Sequence, residues 1–154
     1  VMEGAKIGRD CIISERVFVG KNVLIGDNVH IANGANLYDG LIVRDNVFIG
    51  NNASFTNVKY PRAWRKATEY SSTVVEENVT IGANAVIMAG VVVGKNSTIG
   101  DGAVVVQNVS QGGHVIGPKG ECICGEESCA FCRSKAKREF YKHNSKKNIH
   151  GITI

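Results

Sequence analysis

The residues best suited to chemistry crowd into one short stretch. Lys59, Tyr60, Arg62, Trp64, Arg65 and Lys66 set four cations and two aromatic rings within eight residues, and Trp64 is the only tryptophan in the chain. Guanidinium and ammonium groups pair with phosphate oxygens, and aromatic faces stack on rings or cations, so this set suits a phosphorylated, ring-bearing ligand. A second set lies near the end. Cys122, Cys124, Cys129 and Cys132 offer four thiolates, with Gly125 able to form a tight turn among them. Four thiolates are a natural donor set for structural zinc, and reduced, unligated thiols are the alternative because the Cys124–Cys129 gap is short for a zinc ribbon. Histidine is sparse: His30, His114, His143 and His150. A three-histidine metal site would need a spaced set, and His30 alone does not supply one.

These groups must be held by something, and the rest of the chain is periodic. Every sixth residue from Ile7 is apolar: Ile7, Ile13, Val19, Ile25, Ile31, Leu37, Val43, Ile49 and Phe55. The residue two before each is apolar as well, from Ala5 and Cys11 to Val47 and Ala53. The period resumes at Val75, Ile81, Ile87, Val93, Ile99 and Val105. Six residues do not return to one face of a helix at 3.6 per turn, and β-sandwich strands would not keep one strict period this long. The pattern is that of a solenoid, in which each hexad is a short strand plus a turn and about three hexads close one coil. Apolar residues at 44% and aromatics at only 6% imply an aliphatic core. Asn22, Asn28, Asn46 and Asn52 stand at corners, where Asn tolerates a left-handed backbone. The expected architecture is therefore all-β, a parallel β-helix.

Hexads fail from about 56 to 73, which predicts a protruding loop carrying the basic and aromatic residues. Domain organisation reads as a β-helix over 1–118 and a Cys-rich, Lys-rich extension over 119–154. The formal charge of +4 comes mainly from that extension, which reads as a solvated segment, with no nucleic acid as partner. No apolar run approaches the ~20 residues that span a bilayer, and no signal peptide is apparent. Bunched cysteines with few others favour a reducing, cytoplasmic setting with no membrane partner.

Two stretches carry a family resemblance. Ile31-Ala32-Asn33-Gly34-Ala35-Asn36-Leu37-Tyr38-Asp39-Gly40 and Phe55-Thr56-Asn57-Val58-Lys59-Tyr60-Pro61-Arg62 resemble motifs of the nucleotide-linked 3-amino-sugar N-acetyltransferases, a branch of the hexapeptide-repeat acyltransferases. Gly82-Ala83-Asn84-Ala85 through Gly90 adds a weaker likeness, and the resemblance covers residues 4 to about 118. The chain departs from the family pattern at Gly34, at Val58 and at Val115-Ile116-Gly117-Pro118. The resemblance implies a left-handed coil and a homotrimer with active sites between subunits. It also implies acetyl transfer from acetyl-CoA to the amine of a dTDP- or UDP-linked sugar, in surface-polysaccharide precursor synthesis. It assigns Asn33, Tyr38, Tyr60 and Arg62 to substrate, Asn57 and Asp39 to catalysis, and Asn84, Gly90 and Lys119 to the coenzyme.

The chemistry fits what the sequence lacks. A sugar amine flanked by electron-withdrawing oxygens is partly free base near neutral pH, so orientation by Asn or Asp can replace a strong base. The oxyanion of the thioester needs an N–H donor, expected near Gly90. His30, one residue before an inward position, points outward, to the surface or to an interface. Asn33 and Asn57 fit either ligand contacts or left-handed corners, and Asp39 fits either amine orientation or a turn cap. A different small acceptor, or a non-enzymatic scaffold, are the alternatives. Other acyltransferases of this fold use a catalytic His, and a scaffold leaves the aromatic-basic loop without a purpose.

Overall fold

The computed structural model describes residues 1–64 and 70–117, together with the backbone of Glu121–Cys122. Its secondary structure among the described residues is entirely β, in very short strands arranged on three faces. The first face stacks Lys6–Ile7, Leu24–Ile25, Leu41–Val43, Thr73–Val75 and Val92–Val93. The second stacks Ile12–Ile13, His30–Ile31, Phe48–Ile49, Thr80–Ile81, Thr98–Ile99 and His114–Ile116, closed by the antiparallel Glu121–Cys122. The third stacks Phe18–Val19, Asn36–Leu37, Ser54–Phe55, Val86–Ile87 and Val104–Val105. All pairs except the last on the second face are parallel, and the chain visits the faces in turn. This is the left-handed parallel β-helix of hexapeptide repeats, its coil expected from the period and its hand from the resemblance.

Each two-residue strand turns one side chain in and one out, because side chains alternate across a strand. The inward set is Val19, Ile25, Ile31, Leu37, Val43, Ile49 and Phe55, then Val75 through Val105 at the same spacing, and all are buried. Residues two before them fill the corners from inside, among them Val23, Ala35, Ala53, Ala85 and Ala103. Small Ala alternates there with bulkier Val and Leu, so that three strands can meet around one axis. Ile7 and Ile13 were expected inside as well. They lie in the first coil, which has a neighbour on one side only, and Ile7 remains 38% exposed.

Corners complete the coil. Asn22, Asn28, Asn46 and Asn52 all have φ between 55° and 57°, as their residue type led one to expect. The first amide of a corner donates to the carbonyl of the inward residue one coil on, as in Gly20 N–H to Leu37 O at 2.7 Å. The third amide donates back to the preceding coil, as in Asn28 N–H to Arg9 O at 2.8 Å. The second amide is often capped by an Asp 18 residues on: Asp27, Asp45 and Asp101 accept from Arg9, Asp27 and Ala83 at 2.7–2.8 Å. The Arg9 backbone and side-chain hydrogen bonds hold the Asp27 carboxyl below the usual aspartate range.

The loop enters this scheme without breaking it. Leu24 pairs with Ile42, 18 residues on, and Ile42 pairs with Val74, 32 residues on, so the insertion is 14 residues long. Thr73, placed by sequence at the end of the loop, is already strand and takes a buried inward position. Among the described residues no helix is long and apolar enough to cross a membrane.

Because Phe55 is the largest fully buried side chain, Phe55→Ala is expected to lose about 3–5 kcal/mol of unfolding free energy. Ile7→Ala, at the half-open first coil, should lose less than half of that. Paired urea melts of the two variants check the difference, and equal losses would mean that the core is not graded along the axis.

Candidate active site

Three connections from the third face to the first lie one above another on a single edge. They are Tyr38-Asp39-Gly40, the loop from Thr56 to Ser72, and Met88-Ala89-Gly90. The loop returns between the other two. A Cβ built on Gly40 would lie 3.6 Å from the Ser71 carbonyl oxygen, and one on Gly90 would lie 3.5 Å from the Ser71 Cβ. Both glycines have positive φ, 86° and 81°, on the edge where the first coils use Gly4 and Asn22. A Cβ at either place would be in ordinary contact with the returning loop, and it is the positive φ that favours Gly there.

The loop is pinned at its root. Asn57 O accepts from Ser71 N–H at 3.1 Å, the Thr56 Oγ1 accepts from Ala89 N–H at 2.9 Å, and the Thr73 Oγ1 accepts from Gly90 N–H at 3.0 Å. These two hydroxyls were missed in the sequence, since Thr reads equally well as an ordinary strand residue. They also correct one expectation. Every amide from Met88 to Val92 is bonded within the chain: Met88 to Val105 O, Ala89 to Thr56, Gly90 to Thr73, Val91 to Met88 O and Val92 to the Asn108 Oδ1. None is left for an oxyanion, so Gly90 can border a coenzyme by its open surface but not by its N–H.

Asn57 sits half-buried at the loop root with a negative φ, so the left-handed corner reading does not describe it. Only its main chain is used; its side-chain amide has no hydrogen-bond partner among the described residues. Asp39 caps a corner amide in the manner of the other corner aspartates, its Oδ1 accepting from Lys21 N–H at 2.7 Å. A Cβ on Gly20 would collide with that same oxygen, so the carboxylate is clamped in place. Its Oδ2 takes no hydrogen bond among the described residues. Both readings of Asp39 are thereby compatible, one oxygen for the turn and one to spare. Tyr38 packs on Phe18 with ring centroids 5.3 Å apart and stays 41% exposed.

Farther out, Tyr60 and Trp64 are 70% and 84% exposed, the Lys59 Nζ lies 5.8 Å from the Tyr60 ring centre, and Arg62 donates to Pro61 O at 2.9 Å. Among its described residues the loop thus presents rings and cations to solvent with little of its own chain to satisfy them. Arg65 and Lys66 lie outside the described residues.

Two of the residues singled out by sequence stand elsewhere. Asn33 and Asn84 lie on the edge between the second and third faces, Asn33 after His30–Ile31 and Asn84 after Thr80–Ile81. Asn84 has φ 57° and gives its N–H to Asn51 O at 2.8 Å, as a corner residue does. Asn33 is exposed and not left-handed, because Gly34 takes the φ 74° position beside it. Within one chain the third face separates this pair from the loop edge. His30 lies on the flat second face, edge-on to Phe48 at 5.2 Å, away from the loop edge. Lys119, Cys124, Cys129, Cys132 and the side chain of Cys122 lie outside the described residues. Among the described residues no cluster of three or more His, Cys, Asp or Glu could hold a metal ion.

A family model described as bacterial transferase hexapeptide (six repeats) matches residues 72–107. The fold is that of the hexapeptide-repeat transferases. No curated protein sequence matches the chain. Among solved structures, the Caulobacter crescentus GDP-perosamine N-acetyl transferase, in complex with CoA and GDP-perosamine, is similar with a TM-score of 0.66 at 19% identity, over 78% of this chain and 50% of that one. The acetyltransferase domain of PglB from Neisseria gonorrhoeae, in complex with acetyl coenzyme A, gives 0.67 at 22%, over 78% and 52%. AntD, an N-acyltransferase from Bacillus cereus in complex with dTDP and coenzyme A, gives 0.71 at 20%, over 90% and 81%. The chain thus spans about half the length of the first two, and at these identities the likeness concerns the fold.

Thr73→Val is expected to unmoor the Gly90 corner by leaving its N–H without an acceptor. A loss of about 1–3 kcal/mol in stability should follow, with faster amide exchange at Gly90. Exchange at Gly90 unchanged from wild type would show that the Thr73 hydroxyl is dispensable.

Proposed function

We propose that the chain is an acyl-CoA-dependent N-acetyltransferase whose acceptor is the amino group of a nucleotide-linked sugar. The observation that carries this is the company kept on one edge. An unpartnered Asn57 amide, the spare Oδ2 of Asp39 and an exposed basic, aromatic loop share it. The bound CoA, GDP-perosamine and dTDP named for the structures of the same fold support the reading.

In this reading Tyr60 and Arg62 take the nucleotide diphosphate, with Tyr38 and Asn33 toward the sugar. Acetyl-CoA lies along the later coils past Gly90, with Asn84 and Lys119 as further contacts. The Asn57 amide oxygen and the Asp39 Oδ2 accept hydrogen bonds from the sugar amine and aim its lone pair at the thioester carbon. Neither needs to be a strong base, because the acceptor amine is itself only weakly basic. Holding the two reactants at near-attack distance supplies most of the acceleration. The acyl-transfer chemistry requires no metal. A zinc ion on Cys122, Cys124, Cys129 and Cys132 would serve structure, ordering the end of the chain.

We further propose a homotrimer working in the cytoplasm. The partition of Asn33 and Asn84 onto one edge and the loop onto another supports a cleft between subunits, since only a neighbouring copy can bring two such edges face to face. Phe18 and Phe48, outward-facing and exposed on flat faces, supply apolar surface for such packing. Sedimentation velocity at micromolar concentration should give a single trimeric species, and a monomer would end both the assembly and the shared cleft.

The test of function is a screen of dTDP- and UDP-linked amino sugars with acetyl-CoA, followed by thiol release. Asn57→Ala is expected to lower kcat on the order of 10- to 100-fold, equivalent to ~1.4–2.7 kcal/mol. Affinity for acetyl-CoA should hardly change. Only the free amine reacts, so kcat/KM should rise with pH and level off above the pKa of the substrate amine, not that of a side chain. Full turnover by a folded Asn57→Ala protein would remove Asn57 from the site.

A further inference from the structure

The corner formed by Tyr38, Asp39 and Gly40 departs from the others. In every other three-residue corner from Gly20 to Gly102, the first and third amides are bonded. The pairs run from Gly20 and Asn22, through Gly34, Asn52 and Asn84, to Gly100 and Gly102. By the same rule Tyr38 N–H should donate to Phe55 O and Gly40 N–H to Lys21 O. Neither bond forms, and Asp39 N–H has no acceptor either, among the described residues. Three successive backbone donors are left open where the coil meets the loop. Consecutive free N–H groups at a turn containing a left-handed residue, here Gly40 at φ 86°, form a concavity that favours negative charge.

We propose that these amides, and not those near Gly90, receive the oxyanion that forms on the thioester during acyl transfer. The inference rests on the proposed activity. Acyl transfer needs donors aimed at the oxygen where charge develops, in a place that does not reorganise. At Gly90 the donors are spent on Thr56, Thr73 and the main chain. At Gly40 they are free, two coils away on the same edge, or about two spacings of ~4.8 Å. Ser71 lies beside both corners, so a pantetheine arm passing Gly90 needs only to cross the loop root to deliver its carbonyl.

The spare carboxylate oxygen of Asp39 belongs to the same corner. As the amine nitrogen attacks the carbonyl carbon, the C–N bond forms and the π pair moves to oxygen, facing the open amides. Collapse restores the carbonyl and breaks the C–S bond. The proton shed by nitrogen passes by way of the Asp39 Oδ2 to the departing CoA thiolate. Donors and acceptor thus belong to one turn, whose carboxylate is held through its Oδ1.

Proline substitution tests the amides directly. Tyr38→Pro removes an N–H that bonds to nothing, and Leu37 before it is in a strand, where the residue preceding proline is at ease. Tyr38→Ala removes the ring and keeps the N–H; Asp39→Pro and Asp39→Ala form a second pair. In at least one pair, kcat for the Pro variant should fall about 100-fold or more below its Ala partner, with acetyl-CoA affinity equal within each pair. Equal kcat within both pairs of folded proteins overturns the proposal. Wild-type protein gives a reading that needs no substitution. Adding acetyl-CoA without acceptor should move the amide proton signals of Tyr38, Asp39 or Gly40 downfield. Saturation that moves signals near Gly90 but none of these three overturns it as well. The two arms separate the inference from the activity: those shifts persist if the acceptor is not an amino sugar, whereas transfer with equal kcat within both pairs leaves the activity standing alone.

Discussion

The constraint on which the rest of this molecule depends is register. Each coil must bring its inward residue back beneath the last one, so that three main-chain ladders close at once. The 18-residue step meets this with two-residue strands and corners that turn through a left-handed residue. Every side chain is thereby given an address: in, out or corner, on one of three faces. Burial is then collective, because an inward Ile or Val is covered only by the coils on either side. The partial exposure of Ile7 at the first coil shows the same rule from its open end.

The insertion matters because it satisfies that constraint rather than relaxing it. Phe55 and Val75 occupy the inward positions on either side of it, and the ladder continues from Ile42 to Val74 unbroken. To rejoin on register, the returning strand must pass between the corners at Gly40 and Gly90. The corners on either side turn through glycines at positive φ, and two threonine hydroxyls hold the loop root. One of these corners becomes saturated with internal hydrogen bonds while the other loses its own. The asymmetry across the loop is a by-product of closing the coil.

Much of this was legible in the sequence because a period of six leaves no other fold open. The inward list, the loop and the left-handed corners at Asn22, Asn28, Asn46 and Asn52 could all be read directly. The site was legible only in part. Asn57, Tyr60 and Arg62 stood out through their motif and neighbours, but nothing local distinguishes Thr56 and Thr73 from ordinary strand residues. Their role depends on where a 14-residue loop returns, which is a property of the whole coil. The same holds for Gly90, whose surroundings drew attention while its N–H was already committed. Asn33 and Asp39 are only six residues apart and yet lie on different edges, since one hexad is one face.

The two ends of the loop leave and rejoin the same corner, where Ser71 N–H meets Asn57 O at 3.1 Å. Chain held at both ends by a rigid frame contributes little to the entropy of folding when its length changes. Doubling such a loop adds only about 0.6 kcal/mol of closure entropy. The edge therefore behaves as a socket. Segments of different length and charge can be exchanged there while the coil beneath continues to fold, which separates variation at the edge from the upkeep of the frame.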